Sequence, residues 1–344
     1  MKACVLHKMG DFRFEDVAEP ASPGADELVV GMLRGGICGS DMHYYKEGGI
    51  GELIRVRQPI ILGHEGVGVV QQTGSGVTKV KEGDMVAIRP ARPCFSCQYC
   101  KKRMYTYCEN MRHLGSASTN PHVNGLFAEK VLLHESQAHR VEMDPVRAAF
   151  AEPLAVAFNG VRQLGELFGK SLLVMGAGPI GCLCVSVAKL MGIETVTVVD
   201  VRQEPLDICL RMGADEVCNS IGNPEQIQKW KEHKGAFDLM LDASGNGRAV
   251  MDGMYMTRPE GIVSQVGMFG PTLPTELGMF TTKGLQWRGV QRFYDEFTAA
   301  ARALEKGFVD PMPLFSGQYS AEQCDAAMQA ALSPETSKIQ IVLS

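Results

Sequence analysis

Cysteines stand at positions 94, 97, 100 and 108, a Cys-x2-Cys-x2-Cys-x7-Cys run. Four thiolates this close together can form a tetrahedron around zinc, and a metal with four protein ligands has no open position, so it would be structural. The residues between them (FS, QY and KKRMYTY) are polar or aromatic and build no core, so a metal would have to order the loop. An iron–sulfur cluster is the alternative for such spacing. A second set of donors is dispersed. GGICGSDMHYY over 35–45 contains Cys38, and ILGHEGVGVV over 61–70 contains His64 and Glu65. A catalytic zinc needs about three protein ligands and one position left for substrate. Spacing alone leaves these three residues equally readable as structural ones.

A third group binds no metal. Gly176, Ala177, Gly178, Pro179, Ile180 and Gly181 follow a strand-like run and open a helix-like one. In that context Gly176 permits a tight turn, Gly178 lets the backbone approach a pyrophosphate, and Gly181 lets helix and strand pack closely. The helix N-terminus then offers N–H groups to the anion. Asp200 ends the next strand-like run, 19 residues past Gly181, where a carboxylate binds ribose hydroxyls. Its charge repels a 2′-phosphate and favours NAD. Arg202 can pair with such a phosphate or lie solvated on the surface, so use of NADP stays open.

These groups need elements to hold them. The first 150 residues carry short β-like runs at 27–33, 66–72 and 84–88, separated by turn residues, which predicts a compact β barrel or sandwich. From about residue 153 the chain alternates strand and helix. Apolar runs at 171–176, 195–200, 216–219, 237–244, 261–268 and 285–290 enclose helix-like stretches such as 180–192 and 205–213. That rhythm predicts a doubly wound parallel sheet, buried on both faces. The tail carries helices over 295–306 and 321–331, then a β-like KIQIVLS, and is read as returning to the first domain. The expected organisation is α/β, with a β-rich catalytic domain over 1–154 and 292–344, a metal lobe near 90–112, and a dinucleotide-binding domain over 155–291.

With a net charge of −5 and scattered Lys and Arg, nothing recommends a nucleic-acid partner. No apolar run reaches signal-peptide or bilayer-spanning length, so a soluble cytoplasmic protein is expected. The cysteines outside the two metal groups (4, 182, 184, 209, 218 and 324) read as small buried apolar residues.

Taken in order, Cys38-Gly39-Ser40-Asp41, Gly63-His64-Glu65 with its glycines, the four-cysteine lobe and the 176–181 fingerprint resemble the zinc-dependent medium-chain alcohol dehydrogenases over essentially the whole chain. CGSDMHYY, AEPLAV (151–156) and RGVQRF (288–293) are similar to the polyol branch, which includes sorbitol and threonine dehydrogenases. The resemblance implies a GroES-like catalytic domain joined to a Rossmann domain, two zinc ions per chain, and NAD with NADP possible. Cys38 and His64 would hold the catalytic zinc, with Glu65 and Glu152 as its carboxylates, either of which can be the one bound at rest. Asp41 would orient His64. Ser40 would take the proton of the substrate hydroxyl, and His43 would relay it. Val266, Gly267, Met268, Val290 and Gln291 would line the nicotinamide, and Tyr44 and Arg292 would face the substrate. The implied reaction takes hydride from a secondary alcohol of a sugar acid, with L-idonate oxidised at C5 as the leading case and Arg292 as the carboxylate's partner. A neutral polyol such as sorbitol or xylitol, or L-threonine, is the alternative, and a zinc- or NAD-sensing protein the non-enzymatic one. A homodimer or tetramer is expected. One departure bears on the cofactor: polyol relatives often carry an arginine five residues after the acidic residue, where this chain has Pro205.

Overall fold

Short runs of β-branched residues bounded by turns make strands, and the first half of the chain is built from them. The computed structural model describes residues 1–269 and 275–344. It divides into two units, Met1–Glu152 with Phe297–Gly307 and Phe315–Ser344, and Pro153–Glu296 with Phe308–Leu314.

The strand Glu27–Gly36 organises the first unit. Glu65–Thr73 pairs antiparallel with it along one side. Its other side is shared: Lys130–His134 takes residues 27–31 and Lys338–Val342 takes residues 34–36. Met85–Ile88 and Ala138–Arg140 extend the sheet at one edge, and Phe315–Ser320 closes the other, parallel to Lys338–Val342. A register shift between Met32 and Arg34 sets Glu65 opposite Gly36, a bulge of the kind that re-aims side chains beside active sites. A smaller sheet of Asp11–Asp16, Lys2–Lys8 and Ile60–Ile61 covers the core, whose centre includes Leu6, Leu28, Met32, Leu62, Phe127 and Ile341.

His139 is tucked against the ring of Phe297, with centroids 4.8 Å apart. Burial pushes its imidazole down to about 4, and Arg89 and Lys79 add to the effect. The folded state therefore holds this residue neutral where the unfolded chain, with a pKa near 6.5, binds a proton. Stability is undisturbed above about pH 6.5 and falls as the pH drops toward 4, by about 2 kcal/mol at pH 5. Thermal melting of wild type and His139→Leu at pH 7 and pH 5 checks this: the wild type should lose more on acidification. Equal losses would assign the acid sensitivity elsewhere.

In the second unit the central strands Ser171–Met175, Thr195–Asp200 and Phe237–Asp242 are apolar runs, because both faces of a parallel sheet are covered there, while the edge strands Glu216–Asn219 and Gln286–Gly289 are more exposed. The strand order is Glu216–Asn219, Thr195–Asp200, Ser171–Met175, Phe237–Asp242, Thr257–Gln265, Gln286–Gly289, all parallel. The order reverses between Ser171–Met175 and Phe237–Asp242, and ligands of such sheets bind beyond the carboxyl ends of the strands at that point. Helices Pro179–Leu190, Gln203–Arg211 and Gly247–Met256 connect the strands. No helix among the described residues is long and apolar enough to cross a membrane.

Candidate active site

Cys38 is the N-cap of the helix Gly39–Glu47, so the turn that starts the helix also presents the thiol. Asp41, wholly buried in the first helical turn, ties this turn to the His64 segment. Its Oδ2 accepts the Cys38 N–H at 3.0 Å, its Oδ1 accepts the Gly63 N–H at 3.2 Å, and Oδ1 lies 3.7 Å from His64 Nδ1. Glu65 follows His64 at the start of Glu65–Thr73. A Cβ on Gly36, its partner across the sheet, would lie 2.2 Å from Glu65 Oε2, so only glycine leaves room for the carboxylate. The donor atoms of Cys38, His64 and Glu65 all lie within 4.8 Å of one another.

Lys338, from the chain's last strand, completes this cluster and went unnoticed in the sequence. It is 4% exposed, and its Nζ donates to Glu65 Oε1 at 2.8 Å, to Oε2 at 2.9 Å and to the Ile37 carbonyl at 3.1 Å, which uses all three ammonium hydrogens. His113 is a second unforeseen neighbour, its ring 5.6 Å from that of His64.

Charge in this pocket is crowded. Burial raises the Glu152 carboxyl to about 7, against the pull of His64 and Lys338, with Glu65 and Asp41 pushing further upward. Burial likewise raises Asp41. For His64 burial disfavours the cation, yet Asp41, Cys38 and Glu152 outweigh it and hold the imidazole well above its ordinary value. Without a metal, the acids force a proton onto a buried histidine. A thiol, an imidazole and carboxylates converging on a space that demands positive charge are a donor set suited to zinc.

Around residues 94–108 the four cysteine sulfurs also fall within 4.8 Å of one another, with Cys94–Cys100 and Cys97–Cys108 at 4.0 Å. A ZnS4 tetrahedron with bonds of about 2.3 Å has edges of about 3.8 Å. The space suits one ion and is too tight to enclose a cluster of several irons. N–H groups of Cys94 and Cys97 donate to Cys108 and Cys94 sulfur at 3.2 and 3.4 Å, which favours thiolates. The Ser96 hydroxyl, with backbone N–H groups, lowers Cys94 to about 5, whereas burial raises Cys100 to about 12. All eleven cysteines are free thiols.

In the second unit Gly176 has φ +98, and a Cβ on Gly181 would meet the Gly176 carbonyl oxygen at 2.0 Å. Gly178, the N-cap of Pro179–Leu190, faces open space, with Pro179 and Ile180 in the helix's first turn. A cavity of about 790 Å³ opens there, bordered by Gly176, Gly178, Asp200, Ser220, Ser244 and Arg248 among others. Asp200 accepts the Ala177 N–H at 2.7 Å and the Arg202 N–H at 3.0 Å, which fixes its carboxylate at the cavity's edge. Arg202 is the N-cap of Gln203–Arg211. Val266, Gly267 and Met268 follow the strand Thr257–Gln265, and Val290 and Gln291 follow the neighbouring Gln286–Gly289, so both groups leave the carboxyl ends of adjacent strands. Asp242, also unforeseen, holds this end together. It accepts from Ser244 Oγ at 2.6 Å, Gly245 N at 3.1 Å and Gln265 Nε2 at 2.5 Å.

The remaining predicted residues divide. Ser40 lies in the first turn of Gly39–Glu47, and His43 is exposed on the same helix, its Nδ1 3.2 Å from Glu47. Arg292 directly follows Gln291, with φ +50. Tyr44 is 2% exposed, and its hydroxyl accepts the Ala117 N–H at 3.2 Å with Ser116 Oγ at 3.5 Å, so the helix turns this residue inward.

Residues 24–143 match the family model for the alcohol dehydrogenase GroES-like domain, and residues 179–306 that for zinc-binding dehydrogenases. The chain is 38% identical over 317 residues to L-idonate 5-dehydrogenase (NAD(P)(+)) of Escherichia coli, with 91% of each protein covered. It is 33% identical over 331 residues to D-xylulose reductase A of Aspergillus oryzae, covering 94% of this chain and 91% of that one. The crystal structure of the E. coli L-idonate 5-dehydrogenase matches with a TM-score of 0.95 at 35% identity, over 99% of this chain and 98% of that one.

Proposed function

Because the chain belongs to the zinc-dependent medium-chain alcohol dehydrogenase family and is an oxidoreductase of its alcohol and polyol group, we propose that it oxidises a secondary alcohol of a sugar acid, L-idonate at C5 first among them, with hydride passing to NAD. The observation that carries this reading is the convergence of half-buried Cys38 with buried His64 and Glu65, with buried Glu152 as a further acid. The similarity to L-idonate 5-dehydrogenase supports the substrate class. A neutral polyol is the second reading, favoured by the similarity to D-xylulose reductase A.

Two zinc ions per chain follow, one held by Cys38, His64 and a carboxylate, one by Cys94, Cys97, Cys100 and Cys108. The first supplies Lewis acidity toward the substrate oxygen. A bound nicotinamide would supply the hydride acceptor, and residues of this chain would fix its orientation. The 176–181 loop holds the pyrophosphate, Asp200 takes ribose hydroxyls, and Val266, Gly267, Met268, Val290 and Gln291 bound the ring. NAD is preferred because the Asp200 carboxylate is held at the cavity's edge, where it would repel a 2′-phosphate, while Arg202 leaves NADP as a second cofactor. Ser40 takes the substrate's proton, and His43, three residues along the same helix and open to solvent, passes it to water. Arg292 pairs with the substrate's carboxylate. The open edge strand Gln286–Gly289 is a contact surface for a dimer or tetramer, and the free thiols suit a reducing, cytoplasmic setting.

The test is a panel of sugar acids and neutral polyols with NAD and with NADP, on wild type and Arg292→Ala. L-Idonate with NAD should turn over best, and Arg292→Ala should raise KM for the acid about 10–100-fold more than for sorbitol or xylitol. Equal losses on both would remove the carboxylate role from Arg292. No turnover of any secondary alcohol by zinc-loaded protein would sink the enzymatic reading.

A further inference from the structure

Arg292 holds a backbone conformation that residues with a side chain avoid, φ +50. Such residues persist where their surroundings over-determine them, and the strain gathers at functional positions. The surroundings here are the end of the helix Ala151–Arg162. Asn159, 5% exposed, donates from Nδ2 to the Arg292 carbonyl at 2.6 Å. Its Oδ1 accepts from Gln163 Nε2 at 3.0 Å and from Arg162 Nη2 at 3.4 Å, so the amide can point only one way. Downstream, Glu296 accepts the Tyr294 N–H at 3.0 Å and is paired with Arg162 at 2.7 Å. Upstream, Arg288 Nη1 donates to the Gln163 carbonyl at 2.8 Å, and the Val290 N–H to the Gln265 carbonyl at 2.9 Å. The segment is thus gripped before, at and after residue 292, and the buried amide acts on the strained residue itself.

We propose that Asn159 is the positioning residue for Arg292: it fixes the backbone that carries the guanidinium and so sets the preference for sugar acids over neutral polyols. The inference rests on Arg292 being the partner of the substrate's carboxylate. Nothing in the 151–162 helix needs an amide at 159 for its own ladder, since a side chain at this position satisfies no intrahelical backbone group. Its hydrogen bond to residue 292 is bought at the expense of burying a polar group.

Two variants test this in the zinc-loaded full chain. Asn159→Ala removes the donor. Asn159→Asp keeps the shape and the acceptor toward Gln163 and Arg162 but turns an acceptor toward the Arg292 carbonyl. Both should raise KM for L-idonate about tenfold, leave kcat within about twofold, and leave KM for sorbitol and xylitol within about twofold. In an Arg292→Ala background, Asn159→Ala should add less than about twofold, because its effect runs through the missing guanidinium. If Arg292→Ala discriminates between acids and polyols but Asn159→Ala raises both KM values equally, or adds in full to Arg292→Ala, Asn159 is only a structural residue. The proposal then fails while the role of Arg292 stands. If Arg292→Ala does not discriminate, both fail together.

Discussion

With one zinc proposed at Cys38, His64 and a carboxylate and another at the four cysteines, replacing His64 with alanine should lower kcat/KM by about a thousandfold or more and remove only the first of the two metals. The reason lies in the division of donors. His64 is buried, backed by Asp41, and faces Cys38 and Glu65 across less than 4.8 Å. Alanine removes one donor of a set that has few to lose. The four sulfurs of the 94–108 lobe stay as they are and serve as an internal control, so metal analysis should fall by one equivalent and no further. Asp41→Asn should cost less, about 10–100-fold, because it acts through His64 and the Cys38 turn. A His64→Ala protein that kept both metals and its turnover would place the chemistry elsewhere.

The second large effect concerns stability. Lys338→Met costs the metal-free protein about 3–5 kcal/mol, because it leaves the Glu65 carboxylate buried at 1% exposure with its cation gone. Combining it with Glu65→Gln should recover part of the loss, since the pair then carries no uncompensated charge. The loss should also shrink in zinc-loaded protein, where the metal offers Glu65 another positive partner. Denaturant melts of the single and double variants, with and without chelator, measure all three. An unchanged melt for metal-free Lys338→Met would mean that Glu65 is satisfied by some other group.

Much of this arrangement was legible because it is local. The lobe's sulfurs lie within one short loop, and the 176–181 turn needs its glycines for reasons that act over six residues. The parallel strands announced themselves as apolar runs because the sheet is covered on both sides. What stayed hidden depends on distance or orientation. Lys338 stands 273 residues from Glu65, at the head of an apolar run where a lysine reads as an exposed end. Asp242 and Gln265 meet only once their strands pair. Phe315–Ser320 alternates half-buried and exposed residues with little apolar signal, so no periodicity marked it. Tyr44 and Tyr45 sit side by side on a helix, and only packing decides that both turn inward.

The strand Lys338–Val342 sets an order of events for a chain made from its N-terminus. Residues 38, 64 and 65 are synthesised early, and nearly all of the second unit runs without interruption from 153 to 296. The ammonium that neutralises Glu65 comes 273 residues after it. Until residue 338 has been made, a carboxylate destined for burial has no such counter-charge, and the edge of Glu27–Gly36 at residues 34–36 has no strand beside it. Synthesis of Lys338–Val342 is therefore also the step that closes the pocket of Cys38, His64 and Glu65, and a translation product that ended before it would carry those residues in an unfinished sheet.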